Sequence, residues 1–263
     1  MIFESSGTTG ENTSRHFIKD LSLYKNSFLS CFRSFYGDPS DWCVIALLPG
    51  YLERKGSSLV YMADSLIKES RHSESGFYLY DHEKLYKVLS ACEFKRQPVL
   101  LIGVTFALLD FAEKYSLKLN HTTVMETGGM KGRREEITRN EVHDILRESL
   151  GVKNIHSEYG MTELLSQAYS SKDGLFYCPD WMKILIRDED DPFHIVARPT
   201  AAKTPGGLLN IIDLANIYSC SFIATDDVGK LYPGDSFEVS GRRDNSDIRG
   251  CSLLVTNKET FGQ

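Results

Sequence analysis

The chain has 263 residues, is 41% hydrophobic and 25% charged, and carries a formal net charge of −6. It is long enough to bury a sizeable core, and its composition is that of an ordinary globular protein. The acidic balance argues against a general nucleic-acid binder, which needs a basic surface, but leaves room for a nucleotide site with local positive charge from Arg15, Lys131, Arg133, Arg134, Arg242, Arg243 or Arg249.

The chain opens on Phe3-Glu-Ser-Ser-Gly-Thr-Thr-Gly10, in which Ser5, Ser6, Gly7, Thr8, Thr9 and Gly10 are all small. Such a loop brings several backbone N–H groups and hydroxyls against one anion, and Gly7 and Gly10 allow positive φ and close approach. Arg15 follows five residues later and supplies charge. The Gly-Lys-Ser/Thr ending of a Walker A loop is missing, and a plain polar loop is an equal reading.

Leu21, Tyr24, Phe28, Cys31, Phe32 and Phe35 then recur at helical spacing up to Gly37. Residues 43–48 form an apolar run closed by Pro49-Gly50 and read as a buried strand. Residues 61–70 read as a helix, 98–103 as a second buried strand and 105–115 as the helix after it. Residues 122–126 are a third strand, stopped by Gly128-Gly129. Thr138-Arg-Asn-Glu141 is a capping box that opens a helix ended by Gly151, and 154–158 is a fourth short strand. Strands alternating with helices predict an α/β fold with a largely parallel sheet. After about Trp181, residues 183–187, 208–213, 221–225 and 237–240 are short strand candidates between Gly, Pro and Asp turns, with residues 199–207 as a loop. We expect an α/β nucleotide-binding core over residues 1–180 and a smaller C-terminal β-rich region over 181–263.

The apolar stretch at residues 99–111 is broken by Gly103, Thr105 and Asp110 and is too short to span a bilayer. Cys31, Cys43, Cys92, Cys178, Cys220 and Cys251 are scattered, with no Cys-x-x-Cys pair and no signal-peptide pattern ahead of them. They read as reduced thiols and predict a cytoplasmic protein. The seven histidines show no zinc-type spacing.

Five segments carry candidate chemistry. The opening loop is the first. In His156-Ser-Glu-Tyr-Gly-Met-Thr-Glu163 a strand end, the Gly160 turn and the polar start of a helix would place side chains at the C-terminal edge of the sheet, where open α/β sheets bind ligands. There Glu163 offers a carboxylate to Mg2+, Thr162 a hydroxyl to a phosphate and Tyr159 a flat face to a base; a solvated turn is the bland alternative. His156 reads as a polar anchor or as a hydrogen-bonded core residue. Met125-Glu-Thr-Gly-Gly-Met130 runs into Gly128 and Gly129, where a ring could lie on bare backbone. Thr225-Asp-Asp-Val-Gly229 puts two carboxylates after a strand, and Asp227 could accept from both hydroxyls of a ribose. Gly241-Arg-Arg-Asp-Asn245 follows the next strand, with Arg242 in reach of ribose or phosphate.

Together and in this order these segments resemble the adenylate-forming superfamily of acyl-CoA synthetases, peptide-synthetase adenylation domains and firefly-type luciferases. Residues 5–10 look like its phosphate loop, and Tyr159-Gly-Met-Thr-Glu163 matches its Tyr-Gly-x-Thr-Glu motif. Thr225-Asp-Asp-Val-Gly229 is similar to its Thr-Gly-Asp-x-Gly motif, with Asp226 where Gly is usual, and Gly241-Arg242 with Asp244 matches its hinge motif. Residues 125–134, 155–167 and 247–251 look like the acyl-protein synthetases of bacterial bioluminescence, which supply an acyl group to a fatty-acid reductase. The resemblance implies the N-terminal-domain fold of an adenylate-forming enzyme, ATP and Mg2+ as cofactors, a fatty acid as substrate and an acyl-reductase or other acyl acceptor protein as partner. It also implies that Cys251 takes the acyl group, whereas a small buried hydrophobe is the equal alternative. Superfamily members carry a substantial segment before the phosphate loop and a C-terminal domain with a late lysine. Here Met1 and Ile2 precede Phe3, and about a dozen residues follow the hinge-like motif, so part of the first sheet and of the acyl pocket is expected to be absent or supplied by another chain. An acyl- or aryl-CoA ligase of phenylacetate type and a nucleotide-binding remnant without turnover are the competing readings.

Overall fold

Among the described residues, strands form three sheets, and their differing patterns of burial place the candidate site. The structure is a computed structural model and describes residues 1–5, 14–49, 56–128, 137–196 and 198–243. The chain begins with β1 (Ile2–Glu4) and β2 (Arg15–Phe17), which pair antiparallel with Phe3 opposite His16. Helix α1 (Leu21–Tyr36) starts where the Asp20 side chain accepts from the Ser22 N–H and stops at Gly37, whose φ of 80° is left-handed. Then come β3 (Cys43–Leu47), α2 (Ser58–Ser70), β4 (Gly76–Phe77), α3 (His82–Phe94), β5 (Val99–Val104), α4 (Thr105–Lys114) and β6 (Thr122–Thr127). Helix α5 (Arg139–Leu150) opens on the Thr138–Glu141 capping box, and β7 (Ile155–Tyr159) and β8 (Ala168–Ser170) follow.

These strands make a six-stranded sheet in the order β4-β3-β5-β6-β7-β8, parallel throughout except for β8. Every residue of β3 and β5 is buried, as expected for strands covered on both faces. The hairpin β1–β2 is pinned by Phe3, which is fully buried and packs edge-on against Tyr24 of α1 at a ring distance of 5.3 Å.

The rest of the chain forms the antiparallel sheet β9 (Met182–Arg187), β10 (Gly206–Asp213), β11 (Phe222–Leu231) and β12 (Phe237–Arg242), in the order β12-β11-β10-β9. Strand β9 alternates buried and half-buried residues, the signature of a sheet with one covered face. The two sheets are laced by backbone: β8 continues into a bridge between Tyr169 and Tyr177, and Phe176 exchanges two hydrogen bonds with Phe237 of β12, at 2.7 and 3.0 Å. Arg139 crosses the same seam, donating to the Val239 carbonyl at 3.0 Å while its guanidinium lies 3.7 Å from the Glu126 carboxylate of β6.

The fold departs from the sequence reading in three places. No helix begins after Glu163, because the Asp213 carboxylate accepts from the N–H groups of Leu165 and Ser166 and from the Ser166 hydroxyl, and the chain reverses into β8. Strand β11 does not end at Thr225 but runs on through Asp226 and Asp227 to Leu231, so these carboxylates stand within the strand, and Gly241 and Arg242 likewise belong to β12. A register shift at Val228/Gly229 makes this possible: a Cβ on Gly229 would lie 2.1 Å from the Glu238 carbonyl, so the backbones approach only because none is there. Helix α3, β4 and the hairpin β1–β2 were not anticipated. No helix among the described residues is long and apolar enough to cross a membrane.

Candidate nucleotide site

Strands β6 and β7 run side by side with Thr127 opposite Glu158, and their C-terminal ends deliver Thr127, Gly128, Glu158 and Tyr159 to one edge of the parallel sheet. A cavity of about 280 Å³ opens there. Its second wall is the turn after β7, with Gly160, Thr162 and Glu163. Its third comes from β11 and β12 with Asp227 and Arg242, and its fourth from Ser5 and the start of α2.

The side chains in this cavity are tied to one another. The Tyr159 hydroxyl donates to Asp227 Oδ2 at 2.7 Å, and Arg242 pairs with Asp227 Oδ1 at 3.2 Å. Burial raises the Asp227 carboxyl above its ordinary pKa, and the Arg242 charge and the Tyr159 bond oppose that rise. The turn is fixed from behind: Asn216, 1% exposed, donates to the Glu163 carbonyl at 2.8 Å and lies 3.2 Å from Nε2 of the buried His16 in β2. The Glu163 carboxylate faces the hairpin, where Oε1 accepts from the Ser14 hydroxyl at 2.5 Å. Ser5 and Ser14 close the base of that hairpin, the Ser5 N–H donating to the Ser14 carbonyl at 3.0 Å and the Ser14 N–H to Ser5 Oγ at 2.9 Å. The Ser/Thr/Gly segment therefore leaves and re-enters the described chain beside Glu163.

Glu158 is the other carboxyl in the wall. Burial pushes it up to about 7, the hydrogen bond from Thr127 Oγ1 to Oε2 works against that, and the Glu126 charge adds to it. Behind it, Glu126 is held below its usual value: burial acts to raise it, and the His143 bond and the Arg139 charge outweigh that.

The structure thus brings Ser5, Gly128, Tyr159, Gly160, Thr162, Glu163, Asp227 and Arg242 around one space. It does not bring in Arg15, whose side chain is 65% exposed and pairs with Glu4 at 3.1 Å. In an antiparallel hairpin alternate residues face opposite ways, and Arg15 shares its outward face with Phe17. His156 lies outside the cavity wall, half-buried, with Nδ1 3.1 Å from the Tyr36 hydroxyl. Ser6, Gly7, Thr8, Thr9, Gly10, Gly129, Asp244, Cys251 and the 131–134 basic cluster lie outside the described residues. Sequence reasoning missed Ser14, Thr127 and Glu158. Glu158 carried a signal, since it directly precedes Tyr159; Thr127 and Ser14 are ordinary polar residues whose role exists only in three dimensions.

No family profile matches the sequence, and no curated protein matches it. Solved structures do. ATP-bound MatB from Rhodopseudomonas palustris superposes with a TM-score of 0.65 at 15% identity, over 92% of this chain and 47% of that one. The chain has the N-terminal-domain fold of the adenylate-forming enzymes. O-succinylbenzoate coenzyme A synthetase (MenE) from Bacillus subtilis, in complex with ATP and magnesium ion, gives 0.60 at 18% identity over 95% and 51%. A malonyl-CoA ligase, in a ternary product complex with methylmalonyl-CoA and AMP, gives 0.63 at 16% over 93% and 53%. The chain spans about half the length of these structures.

Proposed function

We propose that this chain activates a fatty acid with ATP to the acyl-adenylate and passes the acyl group to a protein thiol. The observation that supports this reading is the meeting of three separate segments on one cavity: the base of the Ser/Thr/Gly hairpin, the Thr162–Glu163 turn and the Asp227–Arg242 pair. The lining residues support a nucleotide as the occupant. Asp227 presents a carboxylate to ribose hydroxyls, Tyr159 and Gly128 border the base, and Thr162 with the hairpin faces the phosphates. No group of three His, Cys, Asp or Glu among the described residues could hold a metal by itself. A lone carboxylate still fits Mg2+, which is commonly held by one or two carboxylates together with substrate phosphates. Glu163 is the residue for that role, and the ion would supply charge neutralisation at the phosphates.

In the first step the substrate carboxylate attacks the α-phosphorus and pyrophosphate leaves. Negative charge grows on the phosphoryl oxygens, and the chain's contribution is to place donors there before the reaction begins. In the second step a thiol attacks the acyl carbon and AMP leaves, with Cys251 as the thiol in the chain itself and a reductase or other acceptor protein downstream. The fold neighbours, named as CoA synthetases, keep a CoA ligase as the alternative.

The test is ATP–pyrophosphate exchange with a panel of carboxylic acids in the absence of any thiol. Exchange that depends on a long-chain acid, together with an acyl mass on Cys251, is the expected result. Exchange followed by release only on CoA would move the assignment to the CoA ligases, and ATP binding without exchange would remove activation altogether. Glu163→Gln is expected to lower exchange at least ~100-fold without changing the melting temperature.

A further inference from the structure

Adenylation needs no base, because a carboxylic acid is already ionised at neutral pH. Transfer to a thiol is different. A free thiol has a pKa of about 8.5, the thiolate is the nucleophile, and one proton must leave for each thioester formed. The cavity wall contains a carboxyl group that the proposed nucleotide contacts leave unused. We propose that Glu158 is the proton acceptor of the thiol-transfer step, an inference that rests on the two-step reading above.

Position comes first. Glu158 stands at the end of β7, between the Gly128 edge and the Tyr159–Glu163 turn, so it borders the space in which the acyl–phosphate bond would lie. One of its oxygens is occupied, Oε2 accepting from Thr127 Oγ1. No described residue donates to the other, Oε1. That oxygen lies over bare backbone: a Cβ on Gly160 would be 2.5 Å from it, so the glycine is what leaves the carboxyl room to stand there. Thr127 fixes the carboxyl from one side, and the oxygen that no described residue bonds borders the cavity.

The proton affinity suits the task. A base that takes a proton from a thiol works best when its own pKa lies near the operating pH. Burial lifts Glu158 to about 7. The groups facing it from the packed elements are Glu126 of β6, which adds repulsion, and Tyr24, Cys31 and Tyr36 of α1 with Tyr169 of β8, all of whose own pKa values burial raises, keeping them uncharged. None of these neighbours brings a positive charge that would pull Glu158 back to the ordinary carboxylate range. The balance of the step is simple. The S–H proton passes to Oε1 as the C–S bond forms, the acyl C–O bond to phosphate breaks, AMP leaves with the electron pair, and Glu158 returns its proton to water.

The experiment separates the two steps. The full chain and its Glu158→Gln and Glu158→Asp variants are given synthetic octanoyl-adenylate and N-acetylcysteamine, and thioester formation is followed by mass spectrometry, while ATP–pyrophosphate exchange is measured in parallel. The expected result is at least a ~100-fold slower transfer in Glu158→Gln, partial recovery in Glu158→Asp, and exchange unchanged. The transfer rate of the unaltered chain should rise through about pH 7, and that step should vanish in Glu158→Gln. Equal loss of transfer and exchange, or an unchanged pH profile, would overturn the proposal, since either marks a residue that only shapes the wall. No Glu158-dependent transfer in the unaltered chain would overturn it as well. Transfer that depends on Glu158 in a chain without exchange would support it and remove the activation reading instead.

Discussion

The two sheets solve the problem of burial differently, and the site lies where the solutions meet. In the parallel sheet β3 and β5 are buried from end to end and apolar, and the polar groups that reach the cavity, Thr127, Glu158 and Tyr159, come from the C-terminal ends of β6 and β7. In the antiparallel sheet β9 and β12 alternate, and β11 carries Asp227 mid-strand against Arg242. The first sheet positions chemistry by its edge and the second by its face. A cavity between an edge and a face collects carboxylates from both, Glu158 from the edge and Asp227 from the face.

That comparison can be broken at several points. The largest effect is expected inside the parallel sheet: Leu101→Asn places an unpartnered amide at a fully buried position and should cost more than about 4 kcal/mol, enough to abolish cooperative unfolding in urea. Next is the seam. Arg139→Met leaves the buried Glu126 without its guanidinium and β12 without a donor, for a loss of about 3 kcal/mol. If the two sheets then melt in separate steps, Arg139 is what couples them; a single shifted transition would assign the coupling to the backbone lace. A smaller effect follows pH. The folded-state pKa of Glu158 is raised to about 7, so between the unfolded value near 4.5 and 7 the native state binds the extra proton, and stability falls as pH rises through that window. Glu158→Gln removes this penalty, and its advantage should grow to about 3 kcal/mol by pH 7 and then level off, as read from denaturation midpoints. The smallest change belongs to the open face of the second sheet, where Lys183→Ala deletes a partly exposed pair with Asp235 and should cost less than about 1 kcal/mol.

How legible each region was follows from the same physics. Continuous apolar runs bounded by Pro and Gly mark buried parallel strands, and the expected 43–48 and 98–103 correspond to Cys43–Leu47 and Val99–Val104. The capping box at Thr138 is local chemistry and forms as read. Helix α3 was missed although Leu85, Val88, Leu89 and Cys92 are spaced as a stripe, because lysines and glutamates interrupt it and its amphipathic signal is weak. The reversal after Glu163 was unreadable because the competing acceptor, Asp213, lies about fifty residues downstream. At the site, the motif residues Tyr159, Thr162, Glu163, Asp227 and Arg242 could be picked out because their types are unusual in that order. Arg15 was chosen by proximity in sequence, and strand alternation turned it to Glu4.

The lace between the sheets sets how this cavity is able to move. Residues 168–177 leave the parallel sheet and, without an intervening linker, hydrogen-bond into the antiparallel one through Phe176 and Phe237. The wall carrying Asp227 and the wall carrying Glu158 are thereby riveted on one side, like the two covers of a book at its spine. Away from that spine, the Ser14 hydroxyl bonded to the Glu163 carboxylate is a second, side-chain tie, joining the hairpin to the turn after β7.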